Sequence, residues 1–346
     1  MFVRVHKRSV LRPVAGFSKL PERLAQDPKQ VARGLIGVCV KLVDFRSIFL
    51  RKLIKFIQSA SAATTFHCIQ GASIFALSMC SLSLAQASVP GIQCPDGKPA
   101  DGTERAGDAK SCVVVRKFEP ANSASTNSRV LFAFLHGDSR GSVELPAASG
   151  AAFDLSQQLN ASTVALQRPG YRSNLGISNG TASLHEDDYT PGNVAILASA
   201  LDRLRALNAG KKILLIGHSG GAAMAALLAS RFPASADAYL LAGCPCDLAQ
   251  WRQWRNASAG QTEPWTRSLS PLNEVGKTRS GTRIALVVGT RDDNTLAKFS
   301  EAYVAGLLAQ GVRTRLTYAV GATHVSVLRS PEFFMLAREL AQELSR

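Results

Sequence analysis

The chain has 346 residues, with 40 Lys and Arg against 25 Asp and Glu, a formal net charge of +15. A hydrophobic content of 46% with 19% charged residues excludes a disordered or fibrous chain. Residues 1–87 hold 13 basic and 3 acidic side chains and residues 88–346 hold 27 and 22. The near-balance of the longer part excludes a basic surface built for nucleic acid.

From Phe56 to Pro95 no residue is charged. Ile69–Leu84 is apolar and rich in small residues, follows Arg51, Lys52 and Lys55, and precedes Ala85-Gln86-Ala87. Basic flank, apolar stretch and A-x-A form the order of a secretory signal peptide. The stretch is short for a spanning helix. The expectation is therefore cleavage near Ala87, a secreted or periplasmic mature protein, and no membrane attachment afterwards. Three divisions follow: 1–87 as extension and signal, 88–129 as the start of the mature chain, and 130–346 as the main domain. Cys94 and Cys112 flank a turn-like stretch and are expected to form a disulfide, stable in an oxidising compartment. Cys244-Pro245-Cys246 stays unassigned, since cysteines one residue apart rarely bridge without strain and no further zinc ligands stand at suitable spacing.

From Ser88 onward strands and helices alternate. Cys112–Phe118 and Val130–His136 read as strands, Pro146–Leu159 as a helix and Ser162–Gln167 as the next strand. Asn193–Leu207 carries apolar residues at helical period. Lys212–Gly217 is a continuous apolar run, as in a strand buried on both faces. A helix over Gly221–Phe232, strands over Ala236–Ala242 and Arg283–Val288, and a helix over Thr295–Gln310 follow. Arg313–Ala319 reads as the last strand and Ser330–Leu344 as the last helix. The alternation predicts an α/β fold with a mainly parallel central sheet and helices on both faces.

Gly217-His218-Ser219-Gly220-Gly221 fits G-x-S-x-G between a strand and a helix, the context in which a serine is thrust above the sheet as a nucleophile. Asp292 follows a later strand and is the expected acid, with Asp293 as its alternative. His324, in the loop after the last strand, is the expected base. His136-Gly137-Asp138 follows an early strand. The backbone N–H groups of Asp138 and Gly220 are the expected oxyanion donors, a role for which the Asp138 side chain is not required. His136 reads as a structural prop of that loop.

The order Ser, Asp, His is that of the α/β-hydrolases. Residues 130–346 resemble their prolyl oligopeptidase and dienelactone hydrolase-like branch. The resemblance is carried by His136–Ser139, Arg168–Tyr171, Gly217–Gly221, Ser270–Val275, Gly289–Asn294 and Gly321–His324. It implies hydrolysis through a covalent acyl-enzyme, with neither metal nor organic cofactor, on a small-molecule ester or a peptide. Two features depart from the branch. Its peptidases carry an aromatic residue where Gly220 stands, and about 40 residues between the expected cleavage site and Val130 leave no room for a β-propeller. Trp251, Trp254 and Trp265 all fall in residues 244–282, a long connection that reads as a small cap. Tyr171, Trp251 and Trp254 are candidate substrate-binding residues. His185–Asp188 is expected to be a solvated loop rather than a metal site. An esterase is the leading reading; a serine peptidase, and a non-catalytic binding protein on a hydrolase scaffold, are the alternatives.

Overall fold

A computed structural model describes residues 105–346 except 109, 123–128, 146–147, 149, 184–185 and 260–264. The expected signal segment, Cys94, the boundary at residue 87 and His185 lie outside the described residues. In chain order the elements are β1 (Arg105–Gly107), β2 (Cys112–Phe118), β3 (Val130–Leu135), α1 (Ala151–Leu159), β4 (Thr163–Leu166) and the short hairpin β5 (Arg172–Ser173) with β6 (Gly176–Ile177). Next come α2 (Pro191–Leu207), β7 (Lys212–His218), α3 (Gly220–Arg231) and β8 (Ala238–Ala242). The chain continues with α4 (Leu248–Ala259), α5 (Pro271–Glu274), β9 (Ile284–Gly289), α6 (Ala297–Ala309), β10 (Thr314–Ala319) and α7 (Pro331–Ser345).

Eight strands form one sheet in the order β1-β2-β4-β3-β7-β8-β9-β10. β1 and β2 pair antiparallel, as do β2 and β4; every pairing from β4 to β10 is parallel. Strand alternation divides the core between the two faces. Leu131, Ala133 and Leu135 of β3 and Ile213 and Leu215 of β7 pack toward α2, α3 and α6. Val130, Phe132, Phe134, Leu214 and Ile216 pack on the opposite face toward α1 and α7. Both faces are covered, which is why these strands read as unbroken apolar runs. Helix starts follow local chemistry. Thr190 accepts from Asn193 N–H at the head of α2 and Ser330 from Phe333 N–H at the head of α7, each followed by a proline in the first turn.

The principal elements stand where the sequence places them, with two differences. The helix expected from Pro146 starts only at Ala151, behind Gly150 at φ 89°. Residues 244–282 contain α4 and α5, which the sequence reading left as an undivided cap. Among the described residues no helix is long and apolar enough to cross a membrane.

Candidate active site

Parallel strands deliver their carboxyl ends to one edge of the sheet, where open α/β sheets bind ligands. Ser219 leaves β7 there, Asp138 leaves β3, Asp292 leaves β9 and His324 leaves β10. Ser219 stands at φ 53°, ψ −121° between strand and helix. Such a conformation costs an L-residue on the order of 1–3 kcal/mol, and it persists where the surroundings enforce it. Enforcement comes from the Ser219 N–H, which donates to Ala242 O at 2.9 Å, and from its carbonyl, which accepts from Ala222 N–H at 2.9 Å. A side chain at Gly221 would run into the carbonyls of Leu135 and His136, the latter at 2.5 Å. Glycine thus lets α3 start directly against β3.

The imidazole of His324 meets Asp292 through Nδ1 and Oδ2 at 2.9 Å. Asp292 is further held by the Thr295 hydroxyl on Oδ2 at 2.8 Å and by the N–H groups of Asn294 and Thr295 on Oδ1 at 2.9 and 2.8 Å. Burial pushes its carboxyl pKa up, but the His324 hydrogen bond and the Thr295 donors together outweigh it and leave the pKa below the usual range. Asp293 is exposed. Of the two candidate acids, it is therefore Asp292 that meets the imidazole. Gly243, at φ 53°, passes so close that a Cβ would lie 3.2 Å from both Asp292 Oδ2 and His324 Nδ1. Ser219 and His324 line the same cleft of about 650 Å³ but share no hydrogen bond; catalytic contacts of this kind often tighten only around substrate.

Two further histidines support the site, and their tautomers follow from their partners. His136 Nε2 accepts from Arg168 N–H at 3.0 Å, so its Nδ1 carries the proton and donates to Gly137 O at 2.8 Å. Burial, with Arg168 adding to it, brings its pKa down to about 3. His218, the variable residue of the G-x-S-x-G motif, donates Nε2–H to the His324 carbonyl at 2.8 Å and lays its ring 4.8 Å from that of His324. Burial and then the neighbouring His324 bring its pKa down to about 4. Both rings are neutral props of the catalytic loops.

Beyond the backbone role expected of Asp138, its side chain has a structural part. Its Oδ1 takes a 2.5 Å ion pair from Arg168 Nη1, and its Oδ2 accepts from Tyr189 Oη at 2.6 Å. Arg168 is fully buried, with the rings of Tyr171 and Tyr189 each 5.0 Å from its guanidinium. Burial opposes its charge; the Asp138 carboxylate and the two tyrosines more than offset this and hold the pKa above its ordinary value. The cluster fixes the loop that passes beside Ser219, where a Cβ on Gly137 would lie 3.0 Å from Ser219 Cβ. Among the described residues the N–H groups of Asp138 and Gly220 have no backbone acceptor. The cluster also explains the glycine after the nucleophile. A Cβ on Gly220 would fall 2.5 Å from Asp138 Oδ1 and 2.6 Å from Arg168 Nη1, so the ion pair leaves no room for a side chain at this position.

Of the candidate substrate contacts, Trp251 lines the cleft, with its indole N–H donated to Asn294 O at 2.9 Å. Tyr171 does not line the cleft. It is fully buried behind Arg168 with its ring 4.9 Å from His136, and supports the loop after β3 instead. Trp254 turns to Phe299, ring centroids 6.1 Å apart, and packs against the core. Cys244 and Cys246 are joined by a disulfide with Cα atoms 5.1 Å apart, inside the usual span. The close spacing is accommodated because Gly243 turns the chain at the end of β8, while Ser300 Oγ and Leu272 N–H bond the carbonyls of Cys244 and Cys246. The expected Cys94–Cys112 pairing rests on Cys94, outside the described residues. No cluster of three or more His, Cys, Asp or Glu is placed to hold a metal ion among the described residues.

A sheet with this strand order, a strained serine elbow and a carboxylate–imidazole pair at its edge decide the fold. It is that of the α/β-hydrolases. A family profile described as the alpha/beta hydrolase family matches residues 132–259. The chain is similar to the Pyrococcus furiosus esterase, with a TM-score of 0.52 and 14% identity, over 70% of this chain and 90% of that one. It is also similar to the Pyrococcus horikoshii acylaminoacyl peptidase, with a TM-score of 0.50 and 14% identity, over 70% of this chain and 41% of the peptidase. The α/β-hydrolase fold read from the motifs is thereby borne out, and solved structures of similar fold include both esterases and peptidases. No curated protein matches the chain in sequence. Because one fold of this kind hosts many activities, the fold does not choose the substrate.

Proposed function

We propose that this α/β-hydrolase is a serine esterase that cleaves a carboxylic ester through an acyl-enzyme. Ser219 Oγ attacks the acyl carbon while His324 Nε2 takes its proton; the His324 Nδ1–H stays on Asp292 Oδ2, which stabilises the imidazolium. The N–H groups of Asp138 and Gly220 receive the oxyanion, aided by the positive end of α3. His324 returns the proton to the leaving alkoxide, and water then repeats the cycle on the acyl-enzyme. The observation that carries this reading is the 2.9 Å His324–Asp292 contact in the cleft that holds the strained Ser219. Ester rather than peptide cleavage is supported by the shared length, 90% of the esterase against 41% of the peptidase, and by Gly220 in place of an aromatic residue.

The mature enzyme is proposed to begin near Ser88 after export, with a Cys94–Cys112 bridge. The basic–apolar–A-x-A order of residues 51–87 supports this, and an oxidising compartment suits the Cys244–Cys246 disulfide. N-terminal sequencing of exported protein checks it, an intact residue 1 being the contrary result. For the activity, a fluorophosphonate probe should label the wild type and leave Ser219→Ala unlabelled. Turnover of a short-chain aryl ester should fall by about 10⁴-fold or more in both Ser219→Ala and His324→Ala. A wild type that the probe leaves unlabelled would point to a binding protein on a hydrolase scaffold, and equal labelling of both would move the nucleophile away from Ser219.

A further inference from the structure

The cleft that holds Ser219 and His324 is lined by three arginines, Arg140, Arg252 and Arg255. Arg140 follows the oxyanion loop at φ 52°, with its backbone N–H bound to Glu186 Oε1 at 2.9 Å. Arg252 and Arg255 lie one turn apart on α4 and share a face. The Arg252 guanidinium is steadied over the Trp265 ring at 4.6 Å. None of the three has an ion-pair partner among the described residues. The acids of the cleft are outnumbered. Asp138 is neutralised by Arg168, and Glu186, bound to the Arg140 amide, sets one carboxylate against three guanidinium groups. The reacting serine therefore sits in a concave, cationic setting whose walls focus the field on whatever enters.

We infer that the ester this enzyme takes carries a negative charge, a carboxylate on either the acyl or the leaving group, which Arg252, Arg255 and Arg140 receive while the ester carbon reaches Ser219. The inference rests on the esterase reading and names its substrate class. Arginine suits the task because its planar fork meets a carboxylate with two parallel hydrogen bonds. Trp251, beside the arginines on α4, supplies the apolar wall along which the chain between charge and ester would lie.

Two substrate pairs test it, each charged ester beside its neutral counterpart. The mono-4-nitrophenyl ester of glutaric acid against 4-nitrophenyl butyrate places the charge on the acyl side. 4-Acetoxybenzoate against its methyl ester places it on the leaving group. At low salt, kcat/KM for the charged member should exceed that of the neutral one by about tenfold or more in at least one pair, and the ratio should shrink as salt screens the arginines. In Arg252→Gln/Arg255→Gln the same ratio should fall to about one. Arg255→Gln alone, at an exposed position, should lower it part-way. Ratios at or below one in both pairs for the wild type would overturn the inference, as would a ratio that the arginine variants leave intact. Either result leaves the esterase reading standing if the neutral esters turn over; no turnover of any of the four would count against that reading instead.

Discussion

Two aspartates flank the nucleophile, and the protein treats them in opposite ways. Asp138 faces an arginine that stays charged at every working pH, inside a cage closed by Tyr189. Asp292 faces the imidazole of His324 and is held there by the Thr295 donors. The same side chain is thus a fixed strut beside Arg168 and, on the proposed acid–base side, the partner of His324. The difference lies wholly in the partner. A permanent ion pair holds geometry; in the proposed mechanism the carboxylate beside an imidazole instead stabilises the charge that forms when His324 Nε2 takes a proton.

The largest effect that separates the two is on rate. Asp292→Asn should cost turnover about 10⁴-fold, because an amide favours the wrong imidazole tautomer. The exposed Asp293→Asn should stay close to wild type, and steady-state kinetics on an aryl ester would show a reversed ranking at once.

On the strut side the effect should appear first as stability. Arg168→Met leaves Asp138 with its counter-charge removed, and loss of one partner of a buried pair costs about 3–5 kcal/mol. Denaturant unfolding should register that loss. A variant within 1 kcal/mol of wild type would mean that the cage does not hold the loop.

A smaller effect belongs to the neutral histidines behind each aspartate. The folded-state pKa values of His136 and His218, about 3 and about 4, lie below the ordinary 6.5. Between those values and 6.5 the unfolded chain binds more protons than the folded one, so stability rises with pH across this window. It should therefore be complete above about pH 6.5 and fall on acidification towards pH 4, by on the order of 3 kcal/mol for His218. His218→Gln should flatten the decline of Tm between pH 7 and 4.5. An unchanged slope would show that His218 is not held neutral.

How far the sequence could be read follows the same division. The acid–base side was legible because each of its residues follows a strand in a short, recognisable phrase: Ser219 after KILLIG, Asp292 after RIALVV, His324 after the last strand. Apolar runs set the strands, and the strands set where the loops emerge. The strut side was not legible. Asp138, Arg168 and Tyr189 are spread over 51 residues, and a buried arginine leaves no periodic trace. Arg168 directly after a strand was the signal available, since a cation there must be paired if the strand's end is covered. His218 hid as the variable letter of a motif, and the candidate contacts Tyr171 and Trp254 failed because aromatic residues serve packing as readily as binding. α4 was obscured by its polar composition, which gives it a negative mean hydropathy.

The crowding around Gly220 has a consequence for how this enzyme could change. Any bulkier residue beside the nucleophile collides with groups contributed by three distant loops, so position 220 is not free to drift by single steps. To install an aromatic there, a lineage would first have to dismantle the Asp138–Arg168–Tyr189 cage, and each intermediate with half a cage carries an uncompensated buried charge. Neighbouring substitutions of this kind are strongly non-additive. The route between this arrangement and one with an aromatic residue at position 220 therefore crosses a valley, and the two stand as separate solutions on one sheet.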